Sequence, residues 1–266
     1  MISNKYKNAR ILKIIFIDMT DYVKSPRPIS EWESYLLDAK LSGRKLTGMV
    51  VCIDNGHGKA TKGKASPYAL HEHLEPKIYL KEYEFTRKVA KKTKELLEAM
   101  GATVYMVCPE VEGDISLSAR ATRANKYKSN YKYAGKSGNF VFISIHGNAY
   151  GKGDAWHPGA DGWSVWTTKG QNNSDIFATC MWEAAEEILK PMGKRIRKDM
   201  SDKDPDYESD FTVILKANMP AVLTENFFYT DPDDCKFMNS EAGVIALAKV
   251  HAEGVAKFAK RQYNIG

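Results

Sequence analysis

The sequence lacks most of the features that settle a protein's class at a glance. Its four cysteines, Cys52, Cys108, Cys180 and Cys235, are widely spaced and form no CxxC pair, so neither a disulfide framework nor a cysteine-ligated zinc site is indicated. Cys52 and Cys108 stand in apolar runs and read as buried thiols. No apolar run approaches the length that spans a bilayer. The N-terminal run ILKIIFI carries Lys13 and is followed by Asp18 and Asp21 without a small-residue cleavage site, which makes it a poor signal peptide. The expectation is a chain made in the cytoplasm without an export signal of its own. Internal repeats and low-complexity tracts are also missing.

What remains is the composition of a soluble globular protein. The 266 residues are 43% hydrophobic and 27% charged, enough to bury a substantial core and too apolar for disorder. The formal charge of +6 favours anionic partners such as cell-wall polymers, nucleic acid or membrane surfaces, but it does not choose among them. Residues 1–45 form an extension to a domain at 46–266. In it, ILKIIFID reads as a strand, and SEWESYLLDAKLSG, with Ser30 and Glu33 in capping-box spacing, as a short helix.

From residue 48 strands and helices alternate. MVVCID is a strand, and residues 82–100 place Phe85, Val89, Leu96 and Met100 at helical intervals. TVYMV, FVFISI, GWSVWTT, FTVIL and AVLT follow as strand candidates. Between and after them, ISLSARATRANKY, SDIFATCMWEAAEEILK and a segment from about Glu241 to Tyr263 read as helices. This alternation predicts a single α/β domain with a mostly parallel twisted sheet and helices on both faces.

Three polar residues share one kind of position. His57 follows MVVCID, His146 follows FVFISI and Glu225 follows AVLT, so each stands at the exit of an apolar strand, along the sheet edge where ligands bind in open α/β folds. The glycines in GHG and HGN permit tight turns and close approach of a ligand. Two imidazoles and a carboxylate make a zinc site of catalytic type, since three protein ligands leave the fourth position open. Glu225 and Glu82, in LKEYEF, both qualify as the third ligand, and position alone does not separate them.

The ordered motifs VCIDNGHG, KEYEFTRKVAKKTKELLEAMGATVYMV, SLSARATRAN, VFISIHGNA and MPAVLTENFFYTDPDD resemble the zinc-dependent N-acetylmuramoyl-L-alanine amidases of the amidase_3 type over residues 49 to about 260. The resemblance implies one zinc per chain, held by His57, Glu82 and His146, with Glu225 as the catalytic acid/base. It implies a hydrolase that acts on peptidoglycan at the bacterial cell wall, cutting between N-acetylmuramic acid and L-alanine, in the manner of an endolysin or a wall-remodelling enzyme. Neither nucleic-acid binding nor membrane insertion is expected. A zinc peptidase acting within the stem peptide, and a wall-binding protein without turnover, are the alternatives.

Departures from the family pattern carry expectations of their own. Where relatives have Thr-Arg after the second strand this chain has CPE, and Ser164 stands where many have glutamate, with Trp163 and Trp166 as candidates to flank a sugar or peptide groove. The short connection between His146 and that strand leaves no room for an occluding helix, so the site is expected to be open without an activator. Arg120 should pair with a carboxylate and hold its helix on the sheet. Asn148 is a candidate to orient the ligand loop or touch substrate, and Asn226 follows the proposed base. His71 and His73 read as loop residues near the groove, with an HxH metal site as the rival reading. His157 reads as a substrate-loop residue or a bland one, and His251 as structural.

Overall fold

The structure, a computed structural model, describes residues 30–41, 45–68 and 78–266. The chain divides into two compact units, residues 1–35 and 36–266. The strand expected at ILKIIFID lies outside the described residues. Helix α1 (Glu31–Leu41) forms where the capping box requires it. Ser30 Oγ accepts from the Glu33 amide at 3.2 Å and Glu33 Oε2 accepts from the Ser30 amide at 2.8 Å, so two donors at the helix start are satisfied reciprocally.

The remaining elements are β1 (Met49–Asp54), α2 (Glu82–Ala99), β2 (Thr103–Met106), α3 (Leu117–Tyr133), β3 (Asn139–Asn148) and β4 (Ser164–Thr167), then α4 (Asn173–Leu189), β5 (Tyr207–Glu208), α5 (Thr212–Leu215), β6 (Ala221–Phe228), α6 (Pro232–Asn239) and α7 (Glu241–Tyr263). The six strands form one sheet in the order β2-β1-β3-β6-β4-β5. β2, β1, β3 and β6 run parallel, and β4 is antiparallel to β6. The expected mostly parallel α/β sheet is therefore the fold. Every residue of β1 is buried, as a strand covered on both faces demands. On one face, Ala124 of α3 and Val213 and Ile214 of α5 pack over Val50, Cys52, Phe142 and Leu223. On the other, α7 lies against α2 and α4.

Two expectations change in the folded chain. FTVIL, read as a strand from its β-branched residues, is instead the short helix α5. Its one turn buries Val213 and Ile214 together and leaves Leu215 exposed, so packing on α3 overrides propensity. The second change concerns His146 and Glu225, which lie inside their strands rather than beyond them, because β3 and β6 continue to Asn148 and Phe228. The ladder between these strands is irregular after His146, and the buried Phe227 adopts a left-handed φ of 73°. Such a bulge re-aims side chains at a sheet edge.

Candidate metal centre and active site

β1 ends at Asp54 and the chain turns through Asn55, Gly56, His57 and Gly58. Gly56 has a φ of 71°, and a Cβ there would sit 2.8 Å from the Ile145 carbonyl oxygen; a Cβ on Gly58 would sit 1.7 Å from that of Gly113. The close approach that these glycines allow is therefore of protein backbone, not of a ligand as expected from sequence. Arg87 of α2 fixes the turn by donating to the carbonyls of His57 and Glu110. That anchor carries no signal in the sequence beyond an arginine five residues after Glu82.

Glu82 is the first residue of α2 and is buried, where the partial positive charge of a helix start favours a carboxylate. Its Oε1 lies 3.0 Å from His146 Nδ1 and accepts from the Gly147 amide at 3.1 Å. Its Oε2 lies 3.7 Å from His57 Nε2. The two imidazole rings meet edge-on, with centroids 5.0 Å apart. One ligand atom from each of His57, Glu82 and His146 falls within 4.8 Å of the other two. Glu82, rather than Glu225, is thus the carboxylate brought between the imidazoles.

The donors suit a metal ion. His57 Nδ1 and Glu82 Oε2 are buried without a hydrogen-bond partner among the described residues, an arrangement that costs about 1–3 kcal/mol per group unless something binds there. Two nitrogens and a carboxylate oxygen match the ligand types of a catalytic zinc. Burial pushes His57 down to about 4 against the opposing pull of Glu82. Burial would also lower His146, but the hydrogen bond and charge of Glu82 hold it above its usual value. Burial would raise Glu82, yet the His146 hydrogen bond and the charges of His146 and His57 keep it below the ordinary carboxylate range.

Glu225 is the ladder partner of His146 on the adjacent parallel strand, so the two side chains leave the same face of the sheet. Burial raises Glu225 to about 7 against the pull of His146, and its Oε2 has no hydrogen-bond partner among the described residues. A carboxyl group so placed can exchange a proton near neutrality.

A buried scaffold supports these groups. Arg120 Nη1 reaches Asp54 Oδ1 at 3.1 Å and its Nη2 reaches Asp114 at 2.7 Å, while Ser144 donates to Asp54 at 2.7 Å. Arg120 therefore ties α3 to the end of β1 as expected. Asn226 donates to the His146 carbonyl at 2.9 Å and accepts from Trp163 Nε1 at 2.9 Å. Trp163 is fully buried in that role and does not flank a groove. Trp166 stacks on Tyr207 and leans on Phe211. Asn148 accepts from the Ala149 amide through its own side chain. His251 is buried on α7 between Thr224 and the Leu247 carbonyl, a structural place, and burial lowers it to about 4. The His157 ring lies tilted against that of Tyr150, with centroids 4.6 Å apart. His71 and His73 lie outside the described residues. Residues 149–163 contain no helix, as the short connection after His146 led one to expect.

No helix among the described residues is long and apolar enough to cross a membrane. The chain matches the Amidase_3 family, N-acetylmuramoyl-L-alanine amidase, over residues 51–257. It is 26% identical over 208 residues to the endolysin of Bacillus phage SPP1, covering 78% of this chain and 65% of that protein. It is 25% identical over 251 residues to the N-acetylmuramoyl-L-alanine amidase AmiC of Neisseria meningitidis serogroup B, covering 81% and 54%. It thus spans less than two thirds of the length of both relatives. An N-acetylmuramoyl-L-alanine amidase from Clostridium difficile 630 shares the fold, with a TM-score of 0.62 at 23% identity over 81% of this chain and 99% of that one. With the match running from the third residue of β1 to well inside α7, this chain belongs to the Amidase_3 family of N-acetylmuramoyl-L-alanine amidases.

Proposed function

We propose that this chain is a zinc-dependent peptidoglycan hydrolase that cleaves the amide between N-acetylmuramic acid and L-alanine, with residues 46–266 as the catalytic domain and residues 1–45 as an extension. The observation that carries this reading is the meeting of His57, Glu82 and His146 beside Glu225, with His57 Nδ1, Glu82 Oε2 and Glu225 Oε2 buried and without hydrogen-bond partners among the described residues. His57, Glu82 and His146 would hold the metal. Zinc supplies Lewis acidity, lowering the pKa of water and polarising the scissile carbonyl.

Glu225 accepts the proton that the attacking water loses and returns it to the departing amino group of L-alanine. That return matters because an amine leaves far more readily than an amide anion. The burial that raises Glu225 lets it hold a proton between the two steps. Arg120 and Asp54 keep the His57 turn in place from below, and Asn226 holds the carbonyl of His146, so the reacting groups need little rearrangement.

Digestion of purified peptidoglycan tests the proposal. The expected products are peptides with free N-terminal L-alanine and intact glycan chains without new reducing ends. Chelation should abolish their release, and added zinc should restore it. New amino termini at another stem residue would instead assign a peptidase, and full activity in a metal-free preparation would remove the zinc reading altogether.

A further inference from the structure

Among the described residues, one guanidinium near the site has no hydrogen-bond acceptor. Each of the other described arginines, Arg87, Arg120, Arg123, Arg195 and Arg261, donates to a carboxylate or a backbone carbonyl. The Arg197 guanidinium makes no ion pair and no hydrogen bond among the described residues. It is held by rings instead, 5.1 Å from the centroid of Tyr207 and 5.2 Å from that of Phe228. Its backbone is fixed as well, since the Arg197 amide donates to the Trp163 carbonyl at 2.8 Å and the Arg197 carbonyl accepts from Trp182 Nε1 at 3.2 Å. Gly162, at a φ of 105°, makes room for the stem, because a Cβ there would sit 3.0 Å from Arg197 Cγ. The side chain is positioned, half-buried and left with its planar fork unused.

Its distance from the reacting groups can be read from the sheet. Ser164 at the start of β4 pairs with Glu225, and the neighbouring Trp163 bridges to Ile196. Arg197 therefore stands two strand spacings from Glu225, or roughly 10 Å at about 4.8 Å each, and its long side chain shortens that gap. Arg197 and Lys64 are both close enough for their charges to act on the Glu225 carboxylate. A peptide chain leaving the scissile amide reaches about 7 Å in two residues. The second residue of a peptidoglycan stem peptide is a γ-linked D-glutamate, whose α-carboxyl group is either free or amidated.

Resting on the amidase reading above, we propose that Arg197 is a specificity-determining residue that receives the free α-carboxylate of the second stem residue and so favours the acidic form over the amidated one. Arginine suits this place, because its flat fork grips a carboxylate through two parallel hydrogen bonds while its face stays on an aromatic ring. An amide in the same position presents only one acceptor oxygen and turns an NH2 group towards the guanidinium.

The test uses two soluble substrates, N-acetylmuramoyl-L-alanyl-γ-D-glutamyl-L-lysine and its D-isoglutaminyl counterpart, in which the γ-carboxyl is linked and only the α-group differs, with the zinc-loaded full chain. The wild type should cleave the acid with a kcat/KM about tenfold or more above that for the amide, the difference lying mainly in KM. Arg197→Gln should bring that ratio close to one, and Arg197→Lys should leave an intermediate ratio. Because the ratio is internal to each protein, a poorly folded variant does not mimic the result. Equal ratios in the wild type and Arg197→Gln would overturn the assignment while leaving the amidase standing. Collapse of the ratio in Lys64→Ala but not in Arg197→Gln would also overturn it. A wild type that frees no L-alanine amino terminus from either substrate would remove the amidase reading and this one together.

Discussion

Two glutamates within reach of the same imidazole are assigned opposite work, and their environments explain how one residue type can do both. Glu82 is gripped by the Gly147 amide and the His146 ring, which favours the charged form that a metal ligand needs. Glu225 has a buried oxygen without a donor among the described residues and is raised to about 7, which favours a group that takes and returns protons. Their amide variants should therefore fail differently. Glu82→Gln should lower zinc affinity by about tenfold or more, with activity partly recovered at high zinc. Glu225→Gln should keep near wild-type zinc occupancy and lose about a hundredfold or more in turnover. Metal content and rate measured on both variants check this, and a Glu225→Gln protein that loses its zinc while Glu82→Gln keeps it would reverse the roles.

At the scale of elements, two helices meet at a glycine. α7 crosses α4 at Gly254, where a Cβ would lie 2.3 Å from Met181 Sδ and 3.0 Å from Met181 Cα. The sulfur can swing aside, but the Cα belongs to a helix packed on the sheet. Gly254→Ala gains about 1 kcal/mol in helix propensity and meets an overpacking cost of about 1–3 kcal/mol. The expected outcome is a lower melting temperature despite the better helix former, and a rise in thermal stability would show that α7 can shift without loss. The same helix illustrates how far local signals reach. Its span, read as about Glu241 to Tyr263, matches the folded element because Ser240 caps the start and Asn264 ends it in a left-handed conformation, both local events. For α5 the local signal misled, since only the neighbouring α3 makes a helical turn the better way to bury Val213 and Ile214.

Across the whole molecule, stability should depend on pH through an acidic cluster away from the candidate metal centre. Asp206 is almost fully buried, and desolvation together with Asp204 raises it to about 8, against a hydrogen bond from Thr167. Asp175 and Asp204 each offer an oxygen within 4.8 Å of one from Asp206, so like charges would meet if all three ionised. A carboxyl group with a folded pKa above its unfolded value of 3.8 retains more protons in the folded state. Its contribution is complete below that unfolded value and is lost as pH rises through about 8. His251, lowered to about 4 by burial, acts in the opposite sense. It is neutral in both states above its ordinary range, so over about pH 7 to 8 the raised carboxyl groups Asp206 and Glu225 carry the fall, and the difference between wild type and Asp206→Asn isolates Asp206. Denaturant titrations there should show stability falling by up to about 1.4 kcal/mol per pH unit for each group, with the slope flattened in Asp206→Asn. An identical slope in wild type and variant would show that another group is responsible.

The groups brought together at the candidate site were legible one at a time, because each sits in a short motif whose glycines, apolar run or helix start is a local property of the chain. His57, Glu82, His146 and Glu225 could all be named, and so could the need of Arg120 for a carboxylate, though not that Asp54 supplies it. Other features depended on partners many residues away. β6 runs on past Glu225 because β3 pairs with it on one side and β4 on the other. Glu82 meets both imidazoles because α2 begins beside the loop after β1 and the end of β3. Trp163 turns inward because Asn226 offers an acceptor, and the backbone of Arg197 comes within two strand spacings of Glu225 because Trp163 pairs with the segment that carries it. A hydrogen bond or ring contact between distant residues leaves no period or spacing in the sequence on either side. Local pattern therefore determined which residue types were available, and tertiary pairing alone decided which of them meet.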